Sequence, residues 1–192
     1  MTVRLVLVCH AATAAVRQAR VAADDPLDAH GLTDAGAAAG VLRRAGTAFR
    51  GPETRCRQTA EALGLDAAPD PAFADLDLGS WTGRTLAGLG AEEPEALHAW
   101  LTDPDARPHG GETLRELLTR VSHRLDAIPA TPAARLVAVT HPAVVRAAVL
   151  HVLTAPPAAF WRLDVPPLSQ THLSRQTDGW RLRETGHPLT SS

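Results

Sequence analysis

Two histidines of this 192-residue chain each follow directly on an apolar run, His10 after Val3–Cys9 and His141 after Arg135–Thr140. An imidazole titrates near neutrality, so such a pair suits nucleophilic attack, general acid–base work or the holding of an anion. Arg55 lies just inside an expected helix start at Gly51-Pro52-Glu53. Free N–H groups and the helix dipole favour an anion there, and the guanidinium adds bidentate oxygen recognition. A cation at a helix's positive end is unfavourable unless an anion compensates, which sets Arg55 apart from a solvated arginine. Asp75 and Asp77 are carboxylates available for proton transfer, although aspartates also cap loops. Cys9 could act as a nucleophile if nearby cations lowered its pKa, but a small buried cysteine is the simpler reading. Cys56 reads as core packing on the inner face of its helix.

The elements that must position these groups follow from periodicity and punctuation. Residues 3–9 and 135–140 are nearly continuous aliphatic runs, as expected of strands covered on both faces. Parallel strands end on one rim of a sheet, where open α/β folds bind ligands, so topology alone brings His10 and His141 into one crevice. Residues 14–31 read as a polar, alanine-rich loop. A helix is expected from Leu32 to about Ala45, capped by Thr33 or Asp34. A short strand at 47–50 leads into the Pro52 helix, which runs to about Leu63. Residues 66–93 carry few regular signals. Helices are expected at 94–102, at 112–128 after Gly110-Gly111, and at 142–153. Residues 168–175 and 180–184 flank Thr177-Asp178-Gly179 as a hairpin. The alternation predicts an α/β fold: a three-layer α/β/α sandwich with a mostly parallel central sheet, helices on both faces, a small helical lid and a C-terminal β-hairpin. One domain over residues 1–192 is expected, with the lid inserted at roughly 66–128.

Composition narrows the setting. A chain this long buries roughly 70% of its unfolded surface. All 19 cations are arginine, a set that suits anion binding. The net charge of −2 carries no long single-sign run, which argues against nucleic-acid or anionic-membrane partners. Cys9 and Cys56 lack metal-type spacing, and neither a secretory h-region nor a transmembrane run is evident, so a cytoplasmic location is expected. A zinc set of Cys9, His10, Asp75 and His141 is disfavoured, because adjacent strand residues face opposite ways. The expectation is therefore no metal and no cofactor.

Five segments, in order over roughly 170 residues, carry a resemblance to a known family. Val8-Cys9-His10-Ala11-Ala12-Thr13 is similar to the Arg-His-Gly motif of the histidine phosphatases, the phosphoglycerate-mutase-like superfamily. Pro52 through Ala60 resembles that family's Ser-Pro-x-x-Arg-x-x-Gln-Thr-Ala helix, and Asp75 through Gly83 its Glu-x-x-x-Gly-x-Trp-x-Gly segment. Gly110-Gly111-Glu112-Thr113 resembles its Gly-Gly-Glu-Ser turn, and Val139-Thr140-His141 its second histidine.

The resemblance implies a two-step phosphoryl transfer from a small phosphate ester through a phosphohistidine on His10. Arg55 and His141 would hold the phosphoryl oxygens, Asp75 would be the acid donor, and Asp77 is its rival. Cys9 and Thr13, next to the nucleophile, are counted with the substrate-binding residues. Three positions depart from the family pattern: Cys9 replaces the motif arginine, Pro142 replaces a glycine, and Val16 replaces a frequent asparagine. Arg17, Arg20 or Arg57 could substitute for the missing cation, with Arg17 foremost because it follows His10 so closely. The other readings keep the fold for acid–base chemistry on a substrate without phosphate, or for a non-catalytic binding protein. A monomer or homodimer is expected. The 94–128 segment is read as the lid, with Trp81, Trp100 and His109 as candidate lining.

Overall fold

The computed structural model of the protein describes residues 2–42, 45–129 and 134–189. Its centre is a six-stranded sheet in the order β3-β2-β4-β1-β5-β6. The strands are β1 (Val3–Cys9), β2 (Thr47–Arg50), β3 (Ala67–Pro69), β4 (Arg135–Thr140), β5 (Ser169–Gln176) and β6 (Gly179–Pro188). Pairings β1–β4, β2–β4 and β2–β3 are parallel, while β5 runs antiparallel to both β1 and β6. The last two strands are the expected hairpin, longer at its far end than the sequence suggests, with Gly179 at φ 122° in its turn.

Side-chain alternation in β1 loads both faces. Leu5, Leu7 and Cys9 join a core with Leu117, Val121 and Leu125 of α6 (Leu114–Asp126) and Val144, Ala147 and Ala148 of α7 (Pro142–Leu153). Val8, with Val137 and Val139 of β4, packs instead on Cys56 and Ala60 of α3 (Thr54–Ala62). A period of two in the strands against a helical period in α6 and α7 therefore produces helices on both sides of one sheet. None of the helices among the described residues is long and apolar enough to cross a membrane.

Two sequence expectations are corrected. The segment 14–31 is not all loop: it contains α1 (Ala14–Arg17) and the start of α2 (Ala29–Ala37). The helix begins early because Asp28, rather than Thr33 or Asp34, accepts the Gly31 N–H as its cap. It stops at Ala37, well short of Ala45; residues 43 and 44 of the expected helix lie outside the described residues. The segment 66–93 holds β3, 3₁₀ turns at Pro71–Phe73 and Gly79–Trp81, and α4 (Leu86–Glu92). A further helix, α5, occupies Pro94–Thr102 as expected.

Strand register positions the site. Cys9 pairs with Thr140, so the next residues of the two central strands are His10 and His141, and His10 N–H donates to the Thr140 carbonyl at 2.9 Å. Arg50 of β2 pairs with Val139, which delivers Gly51 and the head of α3 to the same rim.

Candidate active site

Imidazoles, a guanidinium and carboxylates from four chain segments meet at this rim. His10 is only 3% exposed. Its Nδ1 lies 2.8 Å from the Ala11 carbonyl, which can only accept, so Nδ1 carries the proton and Nε2 keeps its lone pair. Burial, reinforced by the charges of His141 and Arg55, pushes its pKa far below the ordinary histidine value. The ring is therefore a neutral base or nucleophile. The His141 ring lies edge-on to it, with centroids 5.2 Å apart.

Arg55 occupies the first turn of α3 and is almost wholly buried. Each of its three nitrogens makes one hydrogen bond, leaving two N–H donors over: Nη2 donates to Asp75 Oδ2 at 2.7 Å, Nη1 to the Ala23 carbonyl at 2.7 Å, and Nε to His141 Nδ1 at 3.3 Å. The anion expected at the head of α3 is supplied from within, since Asp24 accepts from both Thr54 N–H and Thr54 Oγ1. Burial works toward the neutral form of Asp75, but His141 and Arg55 outweigh it, and its pKa stays below the ordinary aspartate value. Asp77, two residues on, is exposed and caps a turn through the Gly79 N–H.

Glu53 is a site group that sequence reasoning placed only as an acid at a helix start. It does not cap α3. One oxygen lies 2.8 Å from His141 Nε2 and the other accepts the Asp75 N–H at 2.9 Å. Burial pushes its pKa up, but the hydrogen bond and charge of His141 together with backbone N–H donors outweigh it, so the pKa lies below the ordinary glutamate value and the carboxylate stays ionised. Gly51 makes the room: a Cβ there would sit 2.7 Å from Glu53 Oε2 and 2.9 Å from His141 Nε2. His141 is thus held at both nitrogens, with Asp75 Oδ2 3.3 Å from Nδ1.

The cysteines behave as buried thiols. Burial, then the Asp75 charge, drives the Cys9 pKa up, and burial and Glu53 do the same for Cys56. Cys56 Sγ is 3.2 Å from His141 Nε2. Among the described residues the donor atoms with metal-like spacing belong to Glu53, Cys56 and His141, within 4.8 Å of one another, and not to the Cys9-centred set.

A cavity of about 210 Å³ opens above His10, lined among others by Asp75, Trp100, Arg146, Phe160 and Trp161. Val16 and Pro142 also face it, whereas Trp81 and His109 pack against each other behind Trp100. Thr13 and Arg17 are not brought to the cavity. The Thr13 hydroxyl caps α1 by accepting the Val16 N–H, and Arg17 turns outward to Asp28 at 2.5 Å. Arg146 also escaped sequence reasoning, since it sits inside an apolar helix with no local motif to mark it.

The fold is that of an α/β protein with its candidate site at the strand rim, and the chain belongs to the histidine phosphatase superfamily (branch 1), which it matches over residues 5–187. It is similar to the bifunctional protein Rv2228c of Mycobacterium tuberculosis (strain ATCC 25618 / H37Rv), at 34% identity over 134 residues. That match covers 65% of this chain but only 37% of the relative's length. It is 31% identical over 166 residues to the probable phosphoglycerate mutase GpmB of Proteus mirabilis (strain HI4320), covering 82% of this chain and 77% of that one. The solved native structure of mycobacterial glucosyl-3-phosphoglycerate phosphatase Rv2419c superposes with a TM-score of 0.81 at 27% identity, covering 100% of both chains.

Proposed function

We propose that this protein hydrolyses small phosphate monoesters through a covalent phosphohistidine on His10. The observation that carries the reading is the state of His10: a neutral, buried ring, tethered at Nδ1, that lines the cavity with Asp75 and lies edge-on to His141, to which Arg55 and Asp75 are joined. In the first step the Nε2 lone pair attacks phosphorus and the ester P–O bond breaks, with a proton from Asp75 going to the leaving oxygen. In the second, Asp75 takes a proton from water, the hydroxide attacks phosphorus, and the N–P bond breaks to release phosphate and neutral His10. Asp75 is ionised without substrate, so an arriving phosphate dianion must raise its pKa before it can donate. Arg55 and His141 hold the equatorial oxygens, and most of the rate gain is positioning and charge neutralisation. The aromatic lining of the cavity suits a leaving group with a compact apolar or ring portion.

Phosphate release from p-nitrophenyl phosphate and a panel of phosphorylated metabolites tests this reading. Activity should vanish in His10→Ala, and rapid quench should trap phosphate on Nε2 of His10. Absence of both turnover and a trapped adduct would sink it. A second reading, acid–base chemistry on a substrate without phosphate, draws on one observation: Asp75 and Glu53 already balance Arg55 and occupy both nitrogens of His141. Turnover of no phosphate ester, with a neutral ligand bound in the cavity, would favour it.

A further inference from the structure

We infer that Arg146, on the second turn of α7, is the cation that meets the phosphoryl oxygens where the family motif has an arginine and this chain has Cys9. The inference rests on the phosphatase reading above and concerns how that same pocket holds its anion. Loss of the motif arginine leaves β1 without a charge at its end, and the other arginines near His10 are committed elsewhere. Arg55 is paired with Asp75, Arg20 with Asp25 at 2.8 Å, Arg17 with Asp28, and Arg57 with Glu61 on the surface. Arg146 differs from all of them. Arg20 lines the cavity over His10 but is held by Asp25, whereas Arg146 lines it and forms no ion pair among the described residues.

The guanidinium is also built in rather than loose. Nε donates to the Leu163 carbonyl at 2.8 Å, and the group lies 5.6 Å from the centroid of the Phe160 ring. That tether fixes one edge of the fork and leaves its Nη atoms for a ligand. Burial lowers its pKa from the ordinary arginine value, and Asp164 acts on it only from a distance. A half-buried cation with no carboxylate in ion-pair contact is stabilised when an anion arrives. Cys9 packs in one core with Val144, Ala147 and Ala148 of α7, so Arg146 comes from the helix that covers the side of β1 on which the motif arginine would project. The ligand is accordingly the phosphoryl group itself, and not a second acidic group elsewhere on the substrate.

The experiment compares the parent with Arg146→Gln, Arg146→Lys and Cys9→Arg/Arg146→Gln, with melting temperature as the folding control. Two readouts are taken: inhibition by orthovanadate, which has no leaving group, and kcat/KM on the best ester. Arg146→Gln should weaken vanadate inhibition at least tenfold and lower kcat/KM by about 10²- to 10³-fold, somewhat under the range known for arginine clamps. Arg146→Lys keeps the charge without the tether and should hold vanadate affinity within about threefold. Cys9→Arg should restore at least tenfold of what Arg146→Gln loses. An active parent whose Arg146→Gln form binds vanadate within twofold overturns the inference and leaves the phosphatase reading standing. The same holds if only esters with an added carboxylate lose activity, or if lysine fails as badly as glutamine. A parent that neither turns over esters nor binds vanadate overturns both.

Discussion

Glu53 places a negative charge directly against one of the two site histidines. A carboxylate 2.8 Å from His141 Nε2 competes with phosphate for that imidazole and opposes an incoming dianion. Glu53→Gln keeps the shape and removes the charge, so vanadate affinity should rise by about tenfold, read as an inhibition constant. An unchanged or weaker constant would mean that Glu53 serves to hold His141 and does not oppose the anion. At this scale His10, Arg55, Asp75 and His141 were legible because each sits beside a strand end, a helix start or a glycine-rich turn. Glu53 was visible only as a helix-start acid, since nothing local says its side chain leaves the helix for His141. Arg17 shows the opposite failure: nearness to His10 in sequence counts for little once α1 turns it toward Asp28.

At the scale of elements, α6 steadies the acid. Its Arg120 donates to the carbonyls of Ala72, Ala74 and Asp75 and pairs with Glu112 at 2.7 Å. The helix is started by a capping box: Thr113 Oγ1 accepts the Glu116 N–H, and Glu116 returns the bond to the Thr113 N–H. Thr113→Ala should cost about 1 kcal/mol and lower the melting temperature by about 2–4 °C, measured by thermal denaturation. A shift under half a degree would show the box to be redundant. Helices α5, α6 and α7 were readable because their caps, prolines and apolar spacing agree. The stretch between residues 66 and 93 was not, because tertiary contact organises it. Gly111 lies so close to this stretch that an added Cβ would come within 2.2 Å of the Asp77 carbonyl, and Ser80 N–H donates to the His109 carbonyl. Neither contact leaves a periodic trace in the chain.

For the molecule as a whole, the buried titratable groups point to one pH response. The pKa of His10 falls from its ordinary 6.5 to about 3 on folding, so the unfolded chain binds that proton more readily. The stability it contributes is complete above pH 6.5 and is lost as the pH drops toward its folded value. His109 and His172, also lowered chiefly by burial, act in the same direction, and Asp75 and Glu53 add theirs below their ordinary carboxylate values. The melting temperature should therefore be nearly flat above pH 7 and fall between pH 6.5 and 4. His10→Asn should make that fall shallower, and identical slopes for the two proteins would refute the assignment. The sheet itself was legible as strands separated by helices. Its order was less so, because β4 enters between β1 and β2 through register alone.

That insertion has a consequence for biogenesis. The strand bearing His10 leaves the ribosome well before the strand that completes the rim, which begins at Arg135. Until then the nascent chain carries an apolar β1 with an open edge and without His141, so chaperone binding should concentrate on intermediates truncated before β4. Closure of so distant a pairing is also slow compared with local helix formation.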